Sequence, residues 1–108
     1  MKKHDPKKYT YRIEWSEADQ AHIARCAEFP SLAAHGKTPE KALKEIEFVV
    51  SESIRWLEEE GETVPDPLSV RHYKGNITLR VPPEVHRNLA ILSAEQGVSI
   101  NQLVLSRL

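Results

Sequence analysis

This chain of 108 residues has one cysteine, four glycines and no apolar run approaching the roughly 20 residues a membrane-spanning helix needs. Each scarcity excludes something. A lone Cys26 rules out an internal disulfide and makes a cytoplasmic location the expectation. The start, Lys2-Lys3-His4-Asp5, leads into polar residues rather than the apolar stretch of a secretory leader. So few glycines leave no phosphate-cradling loop, and no Ser-His-Asp arrangement has supporting context. The histidines, His4, His22, His35, His72 and His86, lack metal-ligand spacing, so neither a metal nor another cofactor is expected. His22 and Cys26 would share a strand face, but about 13 Å apart. A two-cation nuclease needs converging carboxylates. Glu14 stands on a strand, whereas Asp5, Asp19 and Asp66 fall in a tail, a turn and a linker. Catalysis is not expected, and no catalytic residue is assigned.

What is present divides by charge. Residues 1–70 carry 10 Lys/Arg against 14 Asp/Glu, a balance of −4. Residues 71–108 carry 5 against 2, a balance of +3. An acidic front and a basic tail suggest two tasks. In the front, Tyr9 to Trp15 alternates with period two, which predicts a half-buried strand with Tyr9, Tyr11, Ile13 and Trp15 on one face. His22–Ala27 reads as its hairpin partner. Phe29-Pro30-Ser31 reads as a break before a short third strand, Leu32–His35, ending at Gly36. Thr38-Pro39-Glu40 is a helix start. Ala42, Leu43, Ile46, Val49, Val50, Ile54 and Leu57 then recur at helical spacing to about Glu60, and Gly61 is the stop. Trp56 is expected at the margin of the buried stripe, inside the core. Phe48 falls on the opposite, charged face, which makes it the candidate anchor for a protein partner. Glu58-Glu59-Glu60 reads as a solvated helix end that opposes the helix dipole. Gly61–Pro67 is the linker candidate. Leu68-Ser69-Val70 is the one stretch after it that would add an edge strand to the first sheet.

Beyond Gly75 the stretch Asn76-Ile77-Thr78-Leu79-Arg80-Val81 alternates again, until Pro82-Pro83 ends it. A helix follows from Pro83 to about Gln96, with Val85, Leu89 and Leu92 on one stripe. Gly97 stops it, and Ser99 caps a last helix carrying Ile100, Leu103, Val104 and Leu108. A strand and two short helices cannot bury a core alone; segments below about 40 residues need disulfides, metal or oligomerisation. The missing partner is therefore expected to be the same strand of a second chain. In that antiparallel ribbon Ile77, Leu79 and Val81 face the helices, and the dimer core is completed by Leu89, Leu92, Ile100, Leu103 and Val104. Asn76, Thr78 and Arg80 face outward. A two-stranded ribbon fits the DNA major groove, and these residue types hydrogen-bond base edges. Ser99, Ile100 and Asn101, at a helix start, are the candidates for phosphate contacts.

The run Asn76–Pro82, the Pro-Glu helix start and Gly97-Val98-Ser99-Ile100-Asn101-Gln102-Leu103-Val104 resemble the ribbon-helix-helix family of bacterial DNA-binding dimers over residues 75–108. The last helix, ending at Leu108, is short for that family. Upstream, Gly36-Lys37-Thr38-Pro39-Glu40-Lys41-Ala42-Leu43, preceded by strands and by Cys26-Ala27-Glu28-Phe29-Pro30, resembles the HicB-type antitoxins over about residues 9–74. Pro30-Ser31 stands where that family often has Pro-Gly.

The resemblance implies an α+β fold. Residues 1–67, with the added edge strand reaching to 74, would form a partial RNase-H-like domain, a small antiparallel sheet against one helix. Residues 75–108 would form the DNA-binding ribbon-helix-helix tail, which completes its core by dimerisation. It also implies an antitoxin of a toxin–antitoxin pair. The front domain would neutralise a HicA-type mRNA-cleaving toxin, and the tail dimer would repress the pair's own operon by binding operator DNA. Contacts between front domains would raise the homodimer to a tetramer, with no membrane partner. The competing function is a stand-alone ribbon-helix-helix regulator whose front domain senses a small ligand.

Overall fold

Alternation in the front of the chain becomes a three-stranded sheet. In the computed structural model, which describes residues 4–108, Tyr11–Ser16 (β1), Ala21–Cys26 (β2) and Phe29–Gly36 (β3) pair antiparallel in the order β1-β2-β3. The first three residues, and with them the Lys2-Lys3 part of the leader reading, lie outside the described residues. Tyr11 pairs with Cys26 and Ile13 with Ala24. Ala24 in turn pairs with Ala34. These positions place Tyr11, Ile13, Ala24, Cys26, Leu32 and Ala34 in or against one core.

Helix α1, Pro39–Glu59, covers that face and supplies Ala42, Ile46, Val50 and Ile54 to the core. Its bounds follow from its caps. Thr38 is extended, and its Oγ1 accepts the Lys41 N–H at 3.2 Å. At the other end Gly61 takes a positive φ of 70°, a conformation glycine adopts without strain. The Glu62 N–H reaches the Leu57 carbonyl at 2.8 Å and the Gly61 N–H that of Glu58 at 3.2 Å, closing a Schellman motif. Gly36 is needed for a different reason. A Cβ there would lie 2.6 Å from the Ala42 backbone nitrogen, so only glycine lets the end of β3 pass the first turn of α1.

Several sequence expectations change here. β3 begins at Phe29 rather than after Ser31. Pro30 is tolerated because β3 is an edge strand, where a missing N–H need not break a ladder, and because the register shifts beside it, between Arg25 and Cys26. Trp15 is 49% exposed, not buried with Ile13. Its ring stands edge-on to His22, and its indole N–H donates to Glu17 at 2.7 Å. Trp56 is likewise exposed, because its position on α1 carries it past the margin of the buried stripe. Leu68–Val70 forms a turn of 3-10 helix, not an edge strand, and its Leu68 N–H is held by the Glu28 carboxylate at 2.8 Å.

The Gly61–Pro67 stretch is fastened to the first unit. Val64 and Pro67 are buried, and the Tyr9 hydroxyl donates to the Pro65 carbonyl at 2.6 Å. The chain divides into compact units between Tyr73 and Lys74.

The second unit contains α2, Pro83–Gln96, and α3, Ile100–Leu105. α2 ends at Gly97, with φ 69°, through the same pair of closing bonds: Val98 N–H to Ser93 and Gly97 N–H to Ala94. Ser99 and Gln102 form a reciprocal capping box at the start of α3. α2 and α3 pack on each other, and Ser93 and Leu103 are the buried residues of the unit.

Candidate functional site

Within one chain residues 76–81 form no strand, and they have no ladder partner among the described residues. The apolar half of the alternation is bare: Ile77 is 82% exposed and Leu79 67%, with Val81 also exposed. The polar half, Asn76, Thr78 and Arg80, is exposed as well. Of the other residues assigned to a shared core, Leu103 is buried, Leu89, Ile100 and Val104 are half-buried, and Leu92 is exposed. The uncovered apolar set is wider than the sequence reading, since it also includes Val85, Ile91, Val98, Leu105 and Leu108. Fully burying a side chain as exposed as Ile77 would stabilise an assembly by roughly 1.5–3 kcal/mol, with less for those already more than half covered.

The phosphate candidates are not equivalent. The Ser99 hydroxyl accepts the Gln102 N–H at 3.0 Å, and the Ser99 N–H donates to the Gln102 side chain at 3.0 Å. Ser99 is thus engaged in its own helix start. Asn101 is exposed and Ile100 half-buried.

In the first unit the residue that sequence reasoning missed is Glu28. Its carboxylate is buried in the turn between β2 and β3. It accepts from the Thr10 N–H at 3.0 Å and hydroxyl at 3.1 Å, from the Leu68 N–H at 2.8 Å and from the Cys26 thiol at 3.4 Å. Burial alone would raise its pKa. The backbone N–H groups of Leu68 and Thr10 outweigh that and hold it below the ordinary carboxylate value. No periodicity marks such a residue, because its burial comes from a turn and not from a face. Cys26 is pushed up to about 11, burial being the largest cause, so it stays a protonated donor. Tyr9 is pushed up to about 12 by burial, and next by the Glu28 charge. These groups are structural ties.

The surface away from that core offers two faces. On the sheet's outer side, Arg12 and Arg25 stand directly opposite each other on β1 and β2. They border a shallow depression of ≈350 Å³ with Pro30 and Ala27. On the outer side of α1, Phe48 and Trp56 are 61% and 59% exposed. Phe48 sits on the charged face, as its spacing predicts. Trp56 was the missed member of the pair; the signal was its angular distance from the buried stripe. Among the described residues no group of three or more His, Cys, Asp or Glu side chains comes together to hold a metal ion, and no helix is long and apolar enough to cross a membrane.

Residues 58–108 match the model of the HicB family. The match takes in the end of α1, the fastened segment after it and the whole second unit, a little under half of the chain. It lies downstream of most of the front stretch in which the antitoxin resemblance was read. No curated protein and no solved structure matches the chain.

Proposed function

We propose, with the HicB-family match of residues 58–108 as the premise, that the chain is the antitoxin of a toxin–antitoxin pair and the repressor of its own operon. The observation that carries the reading is the uncovered row Ile77, Leu79 and Val81, in a unit of which only Ser93 and Leu103 are buried. A 35-residue unit with so little interior needs a partner, and a second copy supplies the same apolar row in antiparallel register.

Pairing turns Ile77, Leu79 and Val81 inward, onto Leu89, Leu92, Ile100, Leu103 and Val104 of both copies. It leaves Asn76, Thr78 and Arg80 on the outer face of the ribbon. There Asn76 suits adenine, Arg80 suits guanine, and Thr78 serves as hydrogen bonder or methyl contact in the major groove. Phosphate contacts fall to the start of α3, with Ile100 and Asn101 better placed than the internally bonded Ser99. The balance of +3 over residues 71–108 favours the DNA backbone.

The first unit binds and blocks a HicA-type mRNA-cleaving toxin. Its acidic balance favours association with a basic, RNA-binding protein. The chain acts in the cytoplasm by binding, without catalysis or cofactor. Contacts between first units would raise the dimer to a tetramer.

The test is co-expression of the full chain with the small open reading frame beside its gene, followed by capture on a tag and by binding to the operon's upstream DNA. Co-purification of a small basic protein that is toxic alone, together with specific operator binding, is the expected result. Operator binding with no partner would instead favour a regulator whose front unit senses a ligand. Loss of both would end the reading.

A further inference from the structure

Helix α1 spends one side on the core and leaves the other to solvent, and the solvent side is not uniform. Phe48 and Trp56 stand on it eight residues apart, roughly 12 Å along the axis. Single exposed apolar residues are ordinary. Two large aromatics on one exposed helix face are a surface that a partner can use, and tryptophan is among the residues most enriched at the energetic centres of interfaces.

Lys41 and Lys44 are exposed on the same face before Phe48, so that end is mixed in charge, and the charge around Trp56 decides what kind of partner. Glu52 lies one turn before it, and Glu59 and Glu60 one turn after, all exposed. Arg55, the one cation in that stretch, is within 3.5 Å of Glu52. The last turn of α1 contains no basic residue, so these carboxylates sit where the helix dipole is already negative. Isolated, that arrangement is unfavourable; a facing cation would reverse the sign. Nucleic acid and anionic membranes are repelled by it. A second copy would bring the same acidic end to its mate. On the outer face of the sheet Arg12 stands opposite Arg25 and within 3.7 Å of Glu14.

We infer that the outer face of α1 is the docking surface for a basic protein, with Phe48 and Trp56 as its anchors. Lysine or arginine side chains of the partner meet Glu52, Glu59 and Glu60 and pack over the Trp56 ring. The inference rests on the antitoxin reading for the partner's identity: the basic protein is the toxin.

The experiment measures binding of the full chain to a HicA-type toxin inactivated by replacing its catalytic histidine. Trp56→Ala should weaken binding by about 30-fold and Phe48→Ala by about 10-fold. The double change Glu59→Lys with Glu60→Lys should slow association, an effect that shrinks as salt is raised. Arg12→Ala with Arg25→Ala should change nothing. All these side chains are exposed, so the variants keep the fold, as circular dichroism would verify. Wild-type binding with Trp56→Ala and Phe48→Ala within about 2-fold of it would overturn the docking surface while the antitoxin reading stood. Affinity lost only with the arginines would move the site to the sheet. No binding by the wild-type chain would remove the antitoxin reading and the inference with it.

Discussion

The two units of this chain spend their apolar residues in opposite ways. The first packs Ala42, Ile46, Val50 and Ile54 against Tyr9, Ala24, Cys26, Phe29 and Val64, and has its own interior. The second leaves Ile77, Leu79 and Val81 open and buries Ser93 and Leu103. One has an interior of its own, and the other leaves most of its apolar side chains uncovered within one chain. The difference teaches where to look for function. On the proposed reading it lies, in the first unit, on what the core leaves outside and, in the second, on what the core lacks.

The sharpest way to break that comparison is Leu79→Asp. A charge placed in the shared core should abolish the dimer and operator binding while leaving the first unit folded. Sedimentation and DNA binding would read the loss, and tryptophan fluorescence would report the first unit alone, because both tryptophans, Trp15 and Trp56, lie in it. A dimeric Leu79→Asp chain with native DNA binding would refute the shared core. Ile46→Ala is the converse. It should destabilise the first unit by about 2–5 kcal/mol in urea unfolding and leave assembly unchanged. Gly36→Ala should cost the same unit about 1–3 kcal/mol, because the added methyl meets backbone rather than a movable side chain.

Arg80→Ala should weaken specific operator binding by about 1–3 kcal/mol and relax base preference, with toxin neutralisation retained. Retention of full operator affinity would remove Arg80 from the groove. The smallest effect is expected at Glu28. Glu28→Gln should lower stability by about 1–2 kcal/mol at neutral pH. The folded pKa of Glu28 lies below its ordinary value of 4.5, so its contribution is complete above that pH. It is lost as pH falls through the lower, folded value. Wild type and variant should therefore converge in acid, as unfolding curves across that range would show.

Much of this fold was legible in the sequence wherever local chemistry fixes an end. Thr38 and Gly61 bound α1, Pro83 and Gly97 bound α2, and Ser99 opens α3, since a cap acts within a few residues of itself. What escaped depends on neighbours distant in sequence. Pro30 reads as a break until β3 is known to be an edge. Gly61–Pro67 reads as a linker because its composition denies regular hydrogen bonding, which is not the same as denying contact. Trp56 reads as core because helical spacing puts it near the margin; its angular distance from the Ala42, Ile46, Val50 and Ile54 stripe is the signal against that, and only the packed sheet fixes where the margin falls. For the site, the alternation at 76–81 was visible at once, because it is a local pattern without a local partner.

The carboxylate of Glu28 has a consequence in time. It joins Thr10, 18 positions away, and Leu68, 40 positions away. The bond to Thr10 continues the β1–β2 hairpin, whereas the bond to Leu68 closes a loop that spans β3 and α1, so the Leu68 half of the tie is expected to form late. Interactions absent from the folding transition state act on escape from the native state rather than on arrival. On that expectation the Leu68 bond of Glu28 slows escape from the folded first unit more than it speeds its formation.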